Sequence, residues 1–352
     1  MLKSLELENF TVFPVAHLSF GKNLNVFVGE NGSGKTHLLK AAYSAIAANS
    51  GRLNGHDLPG KAELQAALAN KLMGVFRPDG LGRLVRRARG RGKCRLCYEF
   101  DDPALNLEFT FSTVAKTEVT IKMLPSARAD KLPVFLPTRE LLTIYPGFVS
   151  LYETTHLAFE ETWRDTCILL GVPLARGPRE AKIKQMLAPL ESAMGGGVEL
   201  DRAGRFYLNL ASGNMEMHLV AEGLRKLATV ARLIATGSLL DKGYLFWDEP
   251  ESNLNPRIIK TVAKTIVQVA KSGIQVFIAT HSLFLMREIH ILQGEDQLDT
   301  RWFGLHIEGD AKVRVQQGAT VDEIGSIAAL DEDLEQTDRY VDAEMASAAP
   351  AI

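Results

Sequence analysis

The chain has 352 residues, of which 46% are hydrophobic, so one large or two medium domains can bury a sizeable core. The 40 basic and 42 acidic residues leave a formal net charge of -2, which excludes a globally basic surface that binds nucleic acid without specificity. Three cysteines are a poor disulfide framework, and no window has the apolar run of a signal peptide or membrane span, so we expect a globular cytoplasmic protein without a membrane partner.

The first part of the chain combines strand and helix patterns. Alternation of apolar and polar residues, or a short apolar run, predicts strands at residues 2–10, 15–20 and 25–29. A glycine-rich turn follows, and apolar residues then recur at helical spacing at Leu38, Leu39, Ala42, Tyr43 and Ile46. Residues 51–92 have a helical pattern interrupted by glycines, whereas residues 94–123 alternate again and predict an antiparallel meander.

The rest of the chain predicts a helical subdomain and then a parallel α/β core. A short strand at 134–136, helices at 148–170 and 180–194, and strand alternation over 198–220 come first. Helices and strands then succeed one another at residues 222–236, 244–247, 256–271, 275–279 and 283–289, and a strand pair covers 302–315.

These patterns predict an α/β protein whose two chain ends share one sheet. We predict a core of residues 1–50 and 200–318, with residues 51–199 inserted as a β-meander and a helical subdomain. Residues 319–352 form a predicted docking helix and tail, because four apolar residues there recur at helical spacing: Ile324, Ile327, Ala328 and Leu330.

Residues 29–36 (GENGSGKT) match the phosphate-binding P-loop pattern at every defined position, between a predicted strand and a predicted helix. Glycines let backbone amides converge on phosphates, while Lys35 reaches the β- and γ-phosphates and the Thr36 hydroxyl ligates Mg²⁺. The alternative is a glycine turn that binds nothing. The candidate nucleotide-binding residues are Asn31, Gly32, Ser33, Gly34, Lys35, Thr36 and His37.

An apolar strand at residues 244–247 ends in two carboxylates, Asp248 and Glu249. A carboxylate at the C-terminal edge of a parallel sheet can hold Mg²⁺, the role we predict for Asp248. Glu249 lies next to it and can polarise an attacking water, which needs a carboxylate near the γ-phosphate but off the metal. A strand capped by two solvated acids is the alternative.

His281 follows the apolar strand at residues 275–279, so its imidazole is expected at the same sheet edge. There it can sense a γ-phosphate. A histidine at a strand end is more often structural, and that remains the alternative for this residue considered alone.

These three motifs, in this order, resemble those of ABC-type ATPases, specifically the SMC, RecF and OLD-like branch rather than transporter subunits. The segments LKSLELENF, LNVFVGENGSGKT, DEPESNLNP and IATHS carry the resemblance, which covers residues 1–50 and 215–290. It implies a P-loop NTPase fold with an ABC-ATPase-like mixed sheet and an antiparallel β lobe. It also implies hydrolysis of ATP with Mg²⁺.

The resemblance further implies two segments that face a second subunit. Residues 252–255 correspond to the D-loop, with Asn255 where aspartate is commoner. Ala221, Glu222 and Gly223 are similar to the Ser-Glu-Gly version of the signature motif, with Ala221 replacing the serine that touches the γ-phosphate. An ordinary helix N-terminus is the alternative for this degenerate motif.

In such proteins two chains pack head to tail, so that each ATP lies between the P-loop of one chain and the signature helix of the other. The resemblance therefore implies a self-associating protein, a dimer or a higher oligomer. The glutamine of the Q-loop has no counterpart, and residues 137–140 (PTRE) are our candidate for that hinge.

Two smaller features have competing interpretations. Cys94 and Cys97 form a lone CxxC without further ligands, which disfavours a metal site. A basic run can grip a nucleic-acid backbone or form a solvated surface, and it lacks interleaved aromatic residues. The run comprises Arg83, Arg86, Arg87, Arg89, Arg91, Lys93 and Arg95.

The leading functional hypothesis is an ATP-hydrolysing switch subunit that controls a separate effector in anti-phage defence, as OLD-like relatives do. Residues 331–333 are an acidic triplet similar to those of TOPRIM nucleases, but too little chain follows for such a domain, so we expect a nuclease or toxin on another polypeptide. A RecF-like DNA-repair ATPase is the alternative. A transport ATPase is disfavoured by the missing Leu-Ser-Gly-Gly signature.

Overall fold

The computed structural model describes residues 1–50, 60–87, 90–155, 157–175, 177, 180–240, 243–309 and 312–348. The strands in chain order are β1 (Leu2–Phe10), β2 (Phe13–Ser19), β3 (Leu24–Gly29), β4 (Lys93–Phe100), β5 (Leu107–Ser112), β6 (Thr120–Met123), β7 (Pro133–Leu136), β8 (Gly196–Leu200), β9 (Phe206–Leu210), β10 (Gly213–Glu216), β11 (Tyr244–Asp248), β12 (Gln275–Thr280), β13 (Thr300–Glu308) and β14 (Lys312–Gly318). The helices are α1 (Lys35–Asn49), α2 (Lys61–Phe76), α3 (Tyr145–Thr155), α4 (Glu161–Leu170), α5 (Glu180–Met194), α6 (Glu222–Ala235), α7 (Pro256–Lys271), α8 (Leu283–Asp296) and α9 (Ala328–Ala348).

A mixed central sheet carries the P-loop and has the order β14-β13-β3-β12-β11-β7. Its strands run parallel except β14, which pairs with β13 in the antiparallel direction. The early strand β3 lies between the late strands β12 and β13, which confirms that both ends of the chain share this sheet. Because parallel strands end at a common edge, β3, β11 and β12 deliver residues 29–36, 248–249 and 281 to one place.

A second, five-stranded antiparallel sheet with the order β2-β1-β4-β5-β6 forms the predicted β lobe. The first strand pairs with β4 over most of its length, so the meander completes a sheet that begins at Leu2. The division into a core and an insertion at residues 51–199 stays a prediction. Its boundary passes through both sheets, since β7 belongs to the central sheet and β4 to β6 belong with β1.

The helical part differs in one respect from the sequence prediction. The helix expected over residues 148–170 is two helices, α3 and α4, which pack against each other. Phe159 lies between them in sequence and packs against both Phe148 and Trp163, with ring centroids 5.5 and 5.0 Å apart. The alternation over residues 198–220 forms the small antiparallel sheet β10-β9-β8, as expected.

The central sheet separates two hydrophobic cores, because successive side chains of a strand point to opposite faces. In β12, Phe277 and Ala279 face the core shared with α1, α2 and the β lobe, whereas Val276 and Ile278 face the core shared with α5 to α8. Gln275 connects the two sheets through a pair of hydrogen bonds: its Oε1 accepts from the Leu2 N–H at 2.9 Å and its Nε2 donates to the Leu2 carbonyl at 2.8 Å. The strand that leads to the site is thus fixed at its start.

The helices of the described ranges include none that is both long enough and apolar enough to cross a membrane. The predicted C-terminal helix is present as α9 and continues to Ala348. Ile324 is buried before its start, while the side chains of residues 331–344 are exposed. The last four residues lie outside the described part of the chain.

Candidate functional site

The glycine-rich loop leaves β3 and ends at the first residue of α1. Gly32 and Gly34 have φ angles of 85° and 88°, a left-handed conformation that glycine adopts without steric cost. At Gly34 a β-carbon would also lie 2.7 Å from Val12 Cγ2 and 2.8 Å from Phe13 Cζ, in the turn between β1 and β2. The β lobe therefore presses on the loop, and only glycine fits between them.

The side chain of Lys35 folds back over the loop. Its Nζ donates to the carbonyls of Gly29 at 2.7 Å and Glu30 at 2.9 Å. Burial lowers the pKa of Lys35, an effect opposed mainly by the negative charge of Glu249 and then of Asp248. Nearby, the hydroxyl of Ser33 is buried and has no hydrogen-bond partner within the part of the chain that the structure describes. A loop with a poised cation and an unsatisfied hydroxyl fits a phosphate group.

Thr36 and Asp248 meet at the edge of the sheet. The Thr36 hydroxyl lies 3.0 Å from Asp248 Oδ1 and 2.9 Å from Oδ2. Two oxygen ligands at adjacent corners of an octahedral Mg²⁺ site are about 2.9 Å apart, since each lies about 2.0–2.1 Å from the metal. The pair therefore fits the predicted Mg²⁺ ligands. Burial raises the pKa of the Asp248 carboxyl, and the hydrogen bond from Thr36 lowers it.

Glu249 has an unusual backbone, with a φ of 45° in a residue other than glycine. Such strain persists only where the surroundings enforce it, and it concentrates at functional sites. Here the Glu249 N–H donates to the Ala279 carbonyl at 2.9 Å, and Lys226 Nζ donates to the Glu249 carbonyl at 3.0 Å. These two bonds fix the turn that presents the Glu249 carboxylate, which is partly exposed.

His281 stands opposite this carboxylate, as the sequence predicts. Its Nδ1 lies 3.4 Å from Glu249 Oε1 and 3.8 Å from Glu251 Oε1. About half of the imidazole surface is exposed (48%), so the ring can reach a molecule bound at the loop. A cavity of about 610 Å³ opens beside these groups and is lined in part by Glu30, Asn31 and His281.

The predicted hinge at residues 137–140 touches two parts of the site. The Thr138 hydroxyl donates to Asp248 Oδ2 at 3.3 Å. The Glu140 carboxylate is buried and lies 3.0 Å from Nε of Arg225, a residue of α6. The segment thus connects the carboxylate at the end of β11 with the helix that follows residues 221–223.

Those residues begin α6 and pack against a segment of their own chain. A β-carbon on Gly223 would lie 2.5 Å from the Asn253 carbonyl oxygen and 2.8 Å from Leu254 Cδ2. Ala221 and Glu222 are exposed. Asn255, which stands where aspartate is commoner in the similar motif, caps α7 by accepting from the Ile258 N–H at 3.1 Å.

The side chains of two predicted binding residues, one for nucleotide and one for nucleic acid, are already held by other parts of the chain. The His37 ring packs near Phe76 of α2, with centroids 5.8 Å apart, and burial lowers its pKa to about 4. Any role in nucleotide binding therefore falls to its backbone N–H. Arg95 of the basic run is held by hydrogen bonds to Glu6, Glu8 and Glu108 and is not free to grip a phosphate backbone.

The remaining described members of the basic run are at least partly exposed, and Arg89 lies outside the described residues. Cys94 and Cys97 are free, buried thiols whose pKa values are raised by burial. No group of three or more metal-binding side chains occurs in the part of the chain that the structure describes. Cys94 belongs to the β-lobe core, whereas Cys97 lies on the other face of β4, between Glu6 and Glu108 of the neighbouring strands.

Sequence reasoning missed the parts that Thr138, Lys226 and Glu251 play in the site. Lys226 is almost fully buried in α6, and its Nζ contacts both the Glu249 carbonyl and the Ser252 hydroxyl. Glu251 accepts a hydrogen bond from Thr280, 29 residues away. Two features of the sequence could have indicated these roles. Lys226 lies on the apolar face of a predicted helix, and Glu251 is a third acid after the strand at residues 244–247.

Comparisons with known proteins agree with this geometry. The family described as "AAA domain, putative AbiEii toxin, Type IV TA system" matches residues 138–287, and a family described as "AAA domain" matches residues 4–77. The DNA replication and repair protein RecF of Pediococcus pentosaceus is 43% identical over 53 residues, and that of Clostridioides difficile is 42% identical over 53 residues. Each match covers 15% of this chain and 14% of the relative's length.

The fold is similar to solved Smc head domains. One is the Pyrococcus furiosus Smc head with an extended coiled coil, bound to the C-terminal domain of ScpA, with a TM-score of 0.54 and 11% identity over 96% of this chain and 99% of that chain. Another is an Smc head bound to the C-winged helix domain of ScpA, with a TM-score of 0.55 and 14% identity over 91% of this chain and 98% of that chain. Together, the AAA-domain matches, the RecF similarity and this fold support an ABC-type ATPase of the SMC/RecF-like kind.

Proposed function

We propose that the protein is an ATP-hydrolysing switch that closes and opens as a head-to-tail dimer and controls a separate effector protein. The observation that carries the proposal is the convergence of Thr36, Asp248, Glu249 and His281 at one sheet edge, beside a P-loop whose lysine is already seated. This convergence supports the proposal because Mg²⁺ ligation, activation of water and contact with a γ-phosphate require groups close to one another.

The residues divide the chemistry among them. Thr36 and Asp248 would hold a Mg²⁺ ion, which would supply positive charge against the triphosphate, and the Lys35 ammonium would exchange its carbonyl partners for phosphate oxygens. Glu249 orients the attacking water and accepts its proton, since it stands next to the metal ligand without sharing its hydroxyl partner Thr36. His281 holds the γ-phosphate side of the site, opposite Glu249.

The proposed head-to-tail dimer would bring the exposed start of α6 of one chain to the P-loop of the other. Its own P-loop lies at the end of β3, while residues 221–223 pack on residues 253–254 and expose Ala221 and Glu222 to solvent. A second chain in head-to-tail orientation brings these exposed groups to the γ-phosphate. Loss of that phosphate on hydrolysis removes a contact common to both chains and opens the dimer.

The effector part of the proposal is supported by the family similarity and by α9. The description of the matching family names a putative toxin and a type IV toxin–antitoxin system. This description fits a protein that works with a toxin or nuclease in defence. The exposed helix α9 offers a surface on which such a partner can dock. The solved Smc heads are likewise bound to a separate protein, ScpA.

The experiment that tests the switch uses Glu249→Gln, which removes the base but keeps its shape. With ATP and Mg²⁺ this variant should release phosphate at least about a hundredfold more slowly than the unmodified chain, because general base catalysis is lost. It should also accumulate as a dimer in size-exclusion chromatography with light scattering. The matched control is Glu249→Gln combined with Lys35→Ala, which should remain monomeric.

An unchanged rate of phosphate release in Glu249→Gln would contradict the assigned base, and a monomer under all conditions would contradict the dimer. Alanine variants of the basic run test the DNA-repair alternative. Salt-dependent DNA binding that disappears when Arg83, Arg87 and Arg91 are changed to alanine would favour direct DNA clamping over effector control. These three side chains are exposed, so their loss should leave the fold intact.

A further inference from the structure

Glu251 is a buried carboxylate that no step of the proposed ATPase chemistry uses. It lies two residues after Glu249 at the start of the segment that leads to α7, and only 6% of its surface is exposed. A carboxylate buried to this degree is costly unless hydrogen bonds or charges compensate for its lost hydration. Its partners therefore indicate what it does.

One oxygen of Glu251 is fully engaged by the end of β12. Its Oε1 accepts from the Thr280 hydroxyl at 2.6 Å and from the His281 N–H at 3.3 Å. The same oxygen lies 3.8 Å from His281 Nδ1. A single atom of Glu251 thus fixes the backbone of His281, the hydroxyl of the preceding residue and one side of the imidazole.

The other oxygen, Oε2, is buried and has no hydrogen-bond partner among the described residues. The negative charge of Glu251 nevertheless acts on a neighbouring lysine of α6. Burial lowers the pKa of Lys226, and the carboxylate of Glu251 opposes this effect more strongly than any other charge. Glu251 therefore lies in the field of a buried cation on α6, which offsets part of the cost of its own burial.

These contacts place Glu251 between His281 and the segment that packs on the start of α6. On one side it belongs to residues 251–255, whose Asn253 and Leu254 pack against Gly223. On the other side it holds His281, which faces Glu249 at 3.4 Å. The Glu251 side chain therefore connects the segment of residues 252–255 with His281.

We propose that Glu251 is a positioning residue for His281, and that it transmits the docking of the second chain at residues 252–255 to the γ-phosphate side of the site. The inference rests on the proposed ATPase function. Glu251 itself touches neither nucleotide nor metal in this scheme, so its loss should affect catalysis and leave nucleotide binding to Lys35 and Thr36 intact.

The test compares Glu251→Gln with Glu251→Ala, and Glu199→Gln at an exposed strand position serves as the matched control. Glutamine keeps an oxygen that can accept from Thr280 but removes the charge beside the imidazole. We expect kcat for ATP to fall on the order of tenfold in Glu251→Gln and a hundredfold in Glu251→Ala, because misplaced groups lose rate steeply, with KM within about twofold of the unmodified chain. The control should match the unmodified chain in both constants.

A second readout does not depend on turnover. In the nucleotide-free protein, the imidazole NMR signals of His281, assigned with His281→Ala, should shift in Glu251→Gln and stay unchanged in Glu199→Gln. If the unmodified chain hydrolyses no ATP, the proposed function is wrong. The NMR comparison still shows whether Glu251 positions the His281 imidazole. Unchanged kcat or unchanged His281 signals in Glu251→Gln would overturn the positioning role.

If either Glu251 variant fails to fold, Thr280→Val tests the same contact. This variant removes the hydroxyl donor at nearly constant volume. Thr280 is fully buried and its hydroxyl also accepts from the Ser282 N–H at 3.0 Å, so this variant loosens the same turn from the other side. It should lower kcat with KM retained. Wild-type kinetics in Thr280→Val would count against the proposal equally.

Discussion

The hydroxyl of Thr36 and the carboxylate of Asp248 are 212 residues apart in the sequence, and their oxygens are 2.9 Å apart in the structure. One belongs to the first turn of α1 and the other to the last residue of β11, and the parallel sheet brings them together. Neither residue can form an Mg²⁺ site alone, because the ion needs several oxygen ligands in fixed geometry. The contact therefore links the fold directly to nucleotide binding.

Asp248→Asn should abolish the dependence of ATP binding on Mg²⁺. Asparagine keeps the side-chain volume and an oxygen for the Thr36 hydroxyl but removes the charge that attracts the cation. Calorimetric titration of ATP with Mg²⁺ and with a chelator measures the difference, and Asp79→Asn, an exposed position, is the control. Tighter binding with Mg²⁺ than without it in Asp248→Asn would exclude this carboxylate as a ligand.

Lys35→Ala should weaken ATP binding on the order of a hundredfold, because charge-assisted hydrogen bonds to the phosphates are lost. Lys260→Ala removes an exposed lysine of α7 and should bind ATP normally. Fluorescence titration with a labelled ATP analogue gives both dissociation constants. Equal constants for the two variants would show that Lys35 does not face the phosphates.

Ala221→Ser separates the two interpretations of residues 221–223. Ala221 is the N-cap residue of α6 and makes no side-chain capping bond, so serine should raise the free energy of unfolding by about 1 kcal/mol in either case. If the segment is a signature motif, the new hydroxyl also reaches the γ-phosphate of the second chain, and ATP turnover should rise severalfold. A more stable protein with unchanged turnover would identify an ordinary helix N-terminus.

Lys226→Met should make stability depend less on pH in the alkaline range. Burial lowers the pKa of Lys226 to about 8 in the folded chain, against about 10.4 in an unfolded one. Between these values the unfolded chain binds more protons, so the free energy of unfolding rises with pH. Relative to Lys226→Met, the unmodified chain should gain ~2 kcal/mol between about pH 7.5 and about pH 9.5.

Urea denaturation of both proteins at the two pH values measures this difference. Lys35, whose pKa is also lowered, is present in both proteins and cancels in the comparison. A constant difference between the proteins would show that the Lys226 ammonium is not desolvated.

The main site was predictable because its motifs are local in sequence. The P-loop, Asp248, Glu249 and His281 each follow a recognisable apolar strand, and parallel strands end at one edge, so their convergence follows from the pattern. The core of the fold was predictable for the same reason. Alternation and helical spacing fixed most elements of the central sheet, including the strand pair β13 and β14.

What could not be predicted depends on contacts between distant segments. Periodicity does not say which strands pair, so the pairing of β4 with β1 could not be predicted. It also cannot show that Arg95 is neutralised by three glutamates from two other strands. The positions of Lys226 and Glu251 are set by the packing of α6 against residues 249–255, which leaves no repeating pattern in either segment.

The seated side chain of Lys35 has a consequence for the order of events in a turnover. The loop carbonyls of Gly29 and Glu30 hold the Lys35 ammonium within the loop itself. A nucleotide that binds there would take this cation over from two carbonyl acceptors. If two loaded chains then associate as proposed, that step is second order in protein, and the rate of hydrolysis per molecule should rise as the protein becomes more concentrated.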